Sequence, residues 1–327
     1  MQEIAIGVDL GGTNIKAGLV DRKHGLMRHI SLPTEAEQGP HHVIERVVQA
    51  IQQLAPSLDT IQGIGIGSPG SISWDRTTVS YPPNFPGWTH INLAHELQKH
   101  LHTSLPVLVE NDANVAGLGS AFYGAGKPFP SFIMVTLGTG VGGAIIYEKK
   151  IFRGSTGGAG ELGHMTIDYE GPRPYSGVAG AIEAYLGNRF LSRHARFFLI
   201  NRPHSLLYTL TDHNLESLTP RHLTEAAEQG DTAAREILAW AGHKLGAVLG
   251  AAVNLLDIRK IVVGGGISAA GDFLLEPARK HLPDFVVPGL RDGLELVRET
   301  LGNEVGMLGA AQLIFDYLEA HSLASRS

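Results

Sequence analysis

The feature that most constrains the fold occurs twice in this chain: an apolar run, a glycine-rich turn and a second apolar run. In the first copy, residues 4–9 lead into Asp9-Leu10-Gly11-Gly12-Thr13, and residues 15–21 resume the strand pattern. In the second copy, residues 132–137 lead into Gly138-Thr139-Gly140-Val141-Gly142-Gly143 and then residues 144–147. Each copy predicts a β-hairpin. Their recurrence about 125 residues apart predicts an internal structural duplication.

Both turns have the composition of phosphate-binding turns. Bare glycines let backbone N–H groups approach phosphate oxygens, and Thr13 adds a hydroxyl donor. Asp9 is a candidate to hold a hydrated Mg²⁺. Either turn alone is also typical of an ordinary hairpin, because many hairpins turn through Gly-Gly. The presence of two such turns is what favours a polyphosphate ligand.

A third polar stretch, Glu110-Asn111-Asp112, stands between the two turns. It follows the apolar run 105–109, which predicts a short buried strand, and it precedes an Ala- and Gly-rich segment that can begin a helix. Since α/β sheets bind ligands at the carboxyl ends of their strands, Asp112 is a candidate base for a substrate hydroxyl, and Asn111 a candidate to orient that substrate. The alternative is that Asp112 or a neighbour caps the helix. The tripeptide alone slightly favours a helix cap, whereas the glycine turns on either side of it favour a substrate-binding site.

Weaker candidates are spread along the rest of the chain. The loop 81–88 is either a stiff connector or a substrate lip that offers Asn84. Glu161 and His164 are three residues apart, so they would share a face on a helical turn. Glu183 alone is more often a surface group than a ligand. The run Gly264-Gly265-Gly266 follows an apolar strand pattern and allows a flat ligand or a phosphate to lie on the backbone.

The remaining chain alternates strand and helix patterns, which is typical of an α/β protein. Helices are predicted for residues 42–54 and 232–256, and an amphipathic helix for residues 309–320. Short strands are predicted for residues 61–66, 261–263 and 285–287. Residues 201–221 are polar and irregular and predict a loop or short helices.

Composition argues against several classes of protein. A chain without cysteine has no disulfide and no thiolate metal site. A net charge of −6 gives no electrostatic footprint for nucleic acid. The first ten residues are too short and too acidic for a signal peptide, and the longest nearly apolar segment, 245–256, is too short to span a bilayer. We therefore expect a cytoplasmic protein without nucleic-acid or membrane partners.

As a set, the motifs resemble the ROK family, named for repressors, open reading frames and kinases, within the actin-like, hexokinase-like ATPase superfamily. The resemblance covers residues 4–320. It is carried by the two glycine turns, Glu110-Asn111-Asp112, Gly160-Glu161-Leu162-Gly163-His164 and Val263-Gly264-Gly265-Gly266. It implies an α/β fold of two actin-like (ribonuclease H-like) domains with ATP and sugar in the cleft between them. The expected boundaries are 1–118 plus 306–327 for a smaller N-terminal domain and 119–305 for a larger C-terminal one.

The resemblance also implies roles for individual residues. Asp112 would be the general base, and Asp9 would bind Mg²⁺ through water. The sugar would be held by Asn84, Asn111, Glu161, His164 and Glu183. The phosphates would be cradled by Gly11, Gly12, Thr13, Thr139 and Gly140, and the adenosine would be bordered by Gly265 and Gly266.

One departure from the family pattern is sharp. Typical members carry Cys-x-Cys-Gly-x-x-Gly-Cys-x-Glu, whose thiolates bind a structural zinc together with a preceding His. This chain has Pro174, Ser176 and Ala181 at the thiolate positions, whereas the glycines and Glu183 remain. His164 alone cannot hold a tetrahedral zinc. We therefore expect no structural zinc but intact sugar contacts, with the means of holding this loop left open.

The function implied is that of an ATP-dependent hexose kinase of carbohydrate metabolism and glycolysis. Glucose is the first choice of substrate, with N-acetylmannosamine, N-acetylglucosamine, mannose and fructose as alternatives. ATP and polyphosphate both remain open as donors. A sugar-sensing regulator would carry a DNA-binding domain ahead of the first turn, and we do not expect one here because Asp9 lies close to the first residue of the sequence. A non-catalytic sugar-binding protein is the other alternative. A homodimer or homotetramer is expected.

Overall fold

The computed structural model describes residues 3–324, which form two compact units. The first unit combines the chain up to Pro130 with Ala144–Gly160 and the chain from Asn303 onward. The second combines Ser131–Gly143 with Glu161–Gly302. The predicted domain boundaries, at 118/119 and 305/306, stay a prediction.

The strands and helices follow one another along both units. The strands are β1 Ile4–Leu10, β2 Asn14–Asp21, β3 Gly25–Pro33, β4 Ile61–Ser68, β5 Ser71–Ile72, β6 Thr78–Ser80, β7 His90–Asn92, β8 Val107–Asn111, β9 Phe132–Leu137, β10 Val141–Tyr147, β11 Lys150–Ile151, β12 Lys260–Gly264 and β13 Glu295–Arg298. The α-helices are α1 Pro40–Leu54, α2 Leu93–His100, α3 Asp112–Tyr123, α4 Glu183–Leu186, α5 Asn188–Leu199, α6 Leu206–Leu210, α7 Pro220–Glu228, α8 Thr232–Leu256, α9 Asp272–His281 and α10 Val305–Ala324.

The sheet of the first unit has the order β3-β2-β1-β4-β8. The hairpin β1-β2 and its extension to β3 are antiparallel, whereas β1, β4 and β8 run parallel. The carboxyl ends of these three strands therefore meet at one edge. The register places Asp9 beside Gly67 and Gly67 beside Glu110, so the first glycine turn and the Glu110-Asn111-Asp112 stretch share that edge.

The second large sheet repeats this order of strands as β11-β10-β9-β12-β13. Its β9, β12 and β13 are also parallel. The match agrees with the predicted internal duplication, and the predicted α/β fold class is confirmed. A small antiparallel sheet, β5-β6-β7, belongs to the first unit.

Helices cover the first sheet through apolar faces and close backbone contacts. In α1, Val43, Val47 and Ile51 are fully buried, as its periodicity predicts. Helix α10 approaches β4 so closely that a Cβ on Gly65 would overlap the carbonyl of Ala310. Glycine is needed there because a side chain would push the helix off the sheet.

Two predictions of local structure are wrong. Residues 285–287 are not a strand: their backbone is held by the side chain of Asn254, which donates to the Phe285 carbonyl and accepts from the Val287 N–H. The strand at this end of the sheet is β13. The C-terminal helix is longer than predicted, and residues 306–315 are buried all round rather than along one face.

Within residues 3–324, every helix is too short or too polar to cross a bilayer.

Candidate active site

The first glycine turn is fixed at its base and open at its tip. The Gly11 N–H donates to the Asn14 carbonyl at 3.1 Å, and the Thr34 hydroxyl donates to the Gly11 carbonyl at 2.6 Å. Gly12 and Thr13 are exposed. A rigid turn with an open tip can present its N–H groups and the Thr13 hydroxyl to an anion.

The loop 81–88 is anchored by two aromatic side chains and presents Asn84 beside this turn. Phe85 and Trp88 are buried edge to face, with ring centroids 5.6 Å apart. Asn84 has a left-handed backbone (φ 67°), and its side chain is exposed. A Cβ on Gly12 would lie 3.5 Å from the Asn84 Cβ. The loop is thus a stiff connector that also delivers Asn84 to the turn.

Asn111, rather than Asp112, caps helix α3. Its Oδ1 accepts from the N–H groups of Ala113 and Asn114 at 2.9 and 3.3 Å. Among the described residues, nothing accepts a hydrogen bond from its Nδ2, so the amide nitrogen remains available to a ligand. Asp112 is the first residue of the helix and accepts from the Ala113 N–H at 2.8 Å. Asp112 is in contact with solvent, although the protein around its carboxylate partly desolvates it, and it is free to act on a substrate.

The carboxylates of Asp9 and Asp112 form an acidic pair at this sheet edge. Desolvation by the surrounding protein raises the pKa of Asp112. Desolvation also raises the pKa of Asp9 to about 6; Asp112 adds to this rise and Lys16 opposes it. The Lys16 ammonium lies 3.8 Å from the Asp9 carboxylate. Two desolvated carboxylates, one of which disfavours the charge of the other, suit a divalent cation, which would neutralise them.

Sequence reasoning missed the ion pairs that support this edge. Glu110 is fully buried, and its Oε2 lies 2.9 Å from the Nε atoms of both Arg76 and Arg153. Its Oε1 accepts from the Asn111 N–H and from Asn114 Nδ2. Arg153 also donates to the carbonyl oxygens of Ser73 and Trp74. A charged residue at the end of an apolar strand signals a need for partners, but nothing in the sequence identifies Arg153.

The second glycine turn opens onto a cavity of about 680 Å³ within the second unit. The Gly138 N–H donates to the Gly140 carbonyl at 2.9 Å, and the Gly138 carbonyl accepts from Asn188 N–H at 2.9 Å. A Cβ on Gly138 or Gly266 would meet no atom within 4 Å, so both backbones are open to a ligand. The cavity is lined by Gly138, Thr139, Asn188, Thr219, Pro220, Arg221, Thr224, Glu225, Glu228, Gly266, Ile267 and Ala269.

Two aspects of this cavity add to the predictions from the sequence, among which the place of Gly265 beside the adenosine stays a prediction. Gly265 lies outside the lining; its positive φ (+83°) and its contact with the Leu137 backbone serve packing. The start of helix α7 was missed. Its signal was Thr219 followed by Pro220, a helix start in which Thr219 and His222 form a capping box.

The predicted sugar-binding residues of the second unit lie in two short segments. Glu161 directly precedes the 3₁₀ turn Leu162–His164 and His164 ends it, and Glu161 Oε2 lies 3.6 Å from His164 Nε2. His164 Nδ1 is buried and has no hydrogen-bond partner among the described residues. Glu183 begins α4, is half-buried, and its Oε2 accepts from the Val141 N–H at 3.1 Å.

The loop before Glu183 is held by hydrogen bonds. Gly180 N–H donates to Pro172, and the Gly180 carbonyl accepts from Ile167. The Tyr185 hydroxyl donates to Asp168 Oδ2 at 3.2 Å. Within residues 3–324, no cluster of three His, Cys, Asp or Glu side chains has the arrangement of a metal site.

Comparison with known proteins identifies relatives over nearly the whole chain. The ROK family profile matches residues 5–316. A glucokinase of Thermotoga maritima is 34% identical over 309 residues, which cover 94% of this chain and 96% of that protein. The crystal structure of a ROK family glucokinase from Streptomyces griseus, in complex with glucose and AMPPNP, is 33% identical with a TM-score of 0.84, covering 95% of this chain and 98% of that one. A ROK hexokinase from Thermus thermophilus is 31% identical with a TM-score of 0.76, covering 98% and 99% of the two chains.

Proposed function

The chain belongs to the ROK family, and from that premise we propose that it is an ATP-dependent hexose kinase that converts glucose to glucose 6-phosphate. The observation that carries the proposal is the position of Asp112. This carboxylate is exposed at the sheet edge that also bears the first glycine turn and Asp9. A base beside a phosphate-binding turn is what phosphoryl transfer to an alcohol requires.

In the proposed reaction, Asp112 takes the proton of the sugar 6-hydroxyl while that oxygen attacks the γ-phosphorus of ATP. The new O–P bond forms as the bond to the β,γ-bridging oxygen breaks, and ADP leaves with the bond's electron pair. The raised pKa of Asp112 suits this role, because a more basic carboxylate is a better proton acceptor as long as it is ionised. Asn84, Asn111, Glu161, His164 and Glu183 are proposed to bind the sugar hydroxyls.

ATP is proposed to use both glycine turns and the cavity of the second unit. Gly12 and Thr13 offer donors to phosphate oxygens, and so does Thr139 at the cavity mouth, whereas Gly11 and Gly138 use their N–H groups to close the two turns on which the phosphates are proposed to lie. Gly266 and the start of α7 are proposed to border the adenosine. A cavity of about 680 Å³ is in the range of small-molecule sites.

A magnesium ion fits the acidic pair of the first unit. Asp9 would hold it through water, and bound there it would neutralise charge on the phosphates.

The experiment that tests this function is a panel of hexoses with ATP and Mg²⁺, followed by identification of the product by NMR. We expect glucose to have the highest kcat/KM and phosphate to appear on its 6-hydroxyl. A different best hexose would revise the substrate, and no ATP consumption with any hexose would refute the kinase. Polyphosphate in place of ATP tests the donor, and light scattering tests the proposed homodimer or homotetramer. Cell fractionation tests the proposed cytoplasmic location.

The protein is also proposed to work without a structural zinc. The hydrogen bonds of Gly180 and Tyr185 support this proposal, because they tie the loop without metal ligands. Elemental analysis should find no stoichiometric zinc, and a zinc-selective chelator with Mg²⁺ added should leave activity unchanged. One zinc per chain would contradict the proposal.

A further inference from the structure

The second glycine turn contacts different groups at its two ends. Gly138 and Thr139 line the cavity described above, whereas Gly140 and Val141 do not. Val141 N–H instead donates to Glu183 Oε2 at 3.1 Å. A Cβ on Gly140 would overlap this same carboxylate oxygen. The beginning of the turn therefore faces the proposed nucleotide cavity, and its end touches a proposed sugar ligand.

Val141 also supports the other sugar-binding segment. Gly163 packs so tightly on the Val141 carbonyl that a Cβ there would overlap the oxygen. Gly163 stands between Glu161 and His164, the other two proposed sugar ligands of this unit. Both sugar-binding segments thus contact the backbone of Val141: Glu183 contacts its N–H, and Gly163 contacts its C=O.

We propose that Gly140 is a positioning residue for the sugar, not a phosphate-binding glycine as its place in the motif predicts. Without a side chain at this position, the Glu183 carboxylate can reach the Val141 N–H. That bond holds Oε2 and orients Oε1, which accepts from no donor among the described residues, toward a sugar hydroxyl. The inference rests on the proposed hexose kinase function and assigns Gly140 to the sugar rather than to the nucleotide.

The variant Gly140→Ala tests this assignment with little risk to the fold. The Gly140 backbone lies outside the left-handed region, and the atom in the way is the end of a flexible side chain that can move aside. Displacing Glu183 should raise the KM for glucose by about 10- to 100-fold, the cost of losing one charge-assisted hydrogen bond. The KM for ATP should stay within about twofold of the wild-type value.

A matched control comes from the other end of the same turn. Gly138 lines the cavity, and a Cβ on it would meet no protein atom within 4 Å. Gly138→Ala should therefore raise the KM for ATP by about 10-fold and leave the KM for glucose unchanged. Glu183→Gln should mimic Gly140→Ala, and the double variant should be no worse than Glu183→Gln, because both changes remove one interaction.

Calorimetric titration with glucose in the absence of ATP gives a second readout that needs no turnover. Gly140→Ala should weaken this binding by the same factor as it raises the KM. Unchanged glucose affinity in Gly140→Ala or Glu183→Gln, or a rise confined to the KM for ATP, would overturn the inference. If wild-type protein binds glucose without phosphorylating it, the proposed function fails while the titration still decides the role of Gly140. If another hexose proves to be the substrate, the same comparison is made with that hexose.

Discussion

The two large sheets have the same order of strands but carry different groups at the carboxyl ends of their parallel strands: solvent-accessible carboxylates in the first and open glycine backbone in the second. In the first, β1 ends in Asp9-Leu10 before Gly11, and Asp112 is exposed after β8. In the second, β9 ends in Thr136-Leu137 before Gly138, and the carboxylate after β13, Glu299, is buried. Glu299 Oε1 accepts from the N–H groups of Thr300 and Leu301, which ties it to the backbone. The two sheets thus share a topology, but one edge is acidic and the other is an open backbone surface.

This difference assigns separate tasks to the two edges. The first holds two carboxylates whose pKa values are raised and which can therefore take part in proton transfer or hold a cation. The second offers the open glycines Gly138 and Gly266 around a cavity and can therefore bind a flat ligand. Substitutions at the first edge should change chemistry and pH dependence, whereas those at the second should change affinity.

The largest expected effect comes from Asp112→Asn, which removes the proposed base while keeping its shape. The kcat should fall by roughly 10²- to 10⁴-fold, with glucose affinity nearly unchanged. Steady-state kinetics and a glucose titration measure the two quantities, with the exposed Asp292→Asn as control. Near-normal turnover would mean that the acidic edge does not supply the base, and it would contradict the assignment of separate tasks to the two sheet edges.

The next effect concerns the buried ion pairs that support the acidic edge. Arg153→Met removes one of the two guanidinium groups beside the buried Glu110, which should lower the free energy of unfolding by about 3 kcal/mol. Denaturant titration measures this loss. Arg202→Met, which breaks an exposed pair with Glu236, is the control and should cost less than about 1 kcal/mol. Equal losses in Arg153→Met and Arg202→Met would show that the ion pair of Arg153 with the buried Glu110 stabilises the fold no more than an exposed pair does.

A smaller effect is expected at the glycine of the first turn. Gly12→Val places a branched side chain at the open tip of the turn, beside Asn84, and should raise the KM for ATP by about 10-fold. Thermal unfolding of the variant should match wild type, because Gly12 is exposed. A lower melting temperature with unchanged nucleotide affinity would identify Gly12 as an ordinary hairpin glycine and restrict phosphate binding to the second turn.

The smallest effect is a gain in stability from Asp9→Asn that depends on pH. The pKa of Asp9 is raised to about 6, so its charge costs the folded state free energy as the pH rises from about 4 through 6. The variant should therefore be more stable than wild type at pH 7.5, by about 1 kcal/mol after allowance for partial exposure, and gain nothing at pH 4. Melting curves at both pH values test this expectation. A gain that is equal at the two pH values would contradict an electrostatic origin.

Local pattern determined much of the fold. Helix α8 and strand β9 have the bounds that their apolar periods predict, and both hairpins form at the predicted glycine turns. Such elements are predictable because the period of apolar residues decides which face can be buried, and that period is contained in a short stretch of chain. The candidate groups Asp9, Asp112 and the two turns could be proposed for the same reason: each lies at the end of a recognisable strand.

Only the tertiary structure decided which residues support those groups. Arg153 reaches Glu110, and Glu183 reaches the Val141 N–H across 42 residues of sequence. The tertiary structure also distinguishes Gly266, which is open to the cavity, from Gly265, which packs on Leu137. Residues 285–287 have the composition of a strand, yet their backbone forms hydrogen bonds with the side chain of Asn254 instead of with a neighbouring strand. In each case the contacting residue is distant in sequence. Whether it makes the contact depends on how whole helices and strands pack, and the local periodicity of apolar residues contains no information about that packing.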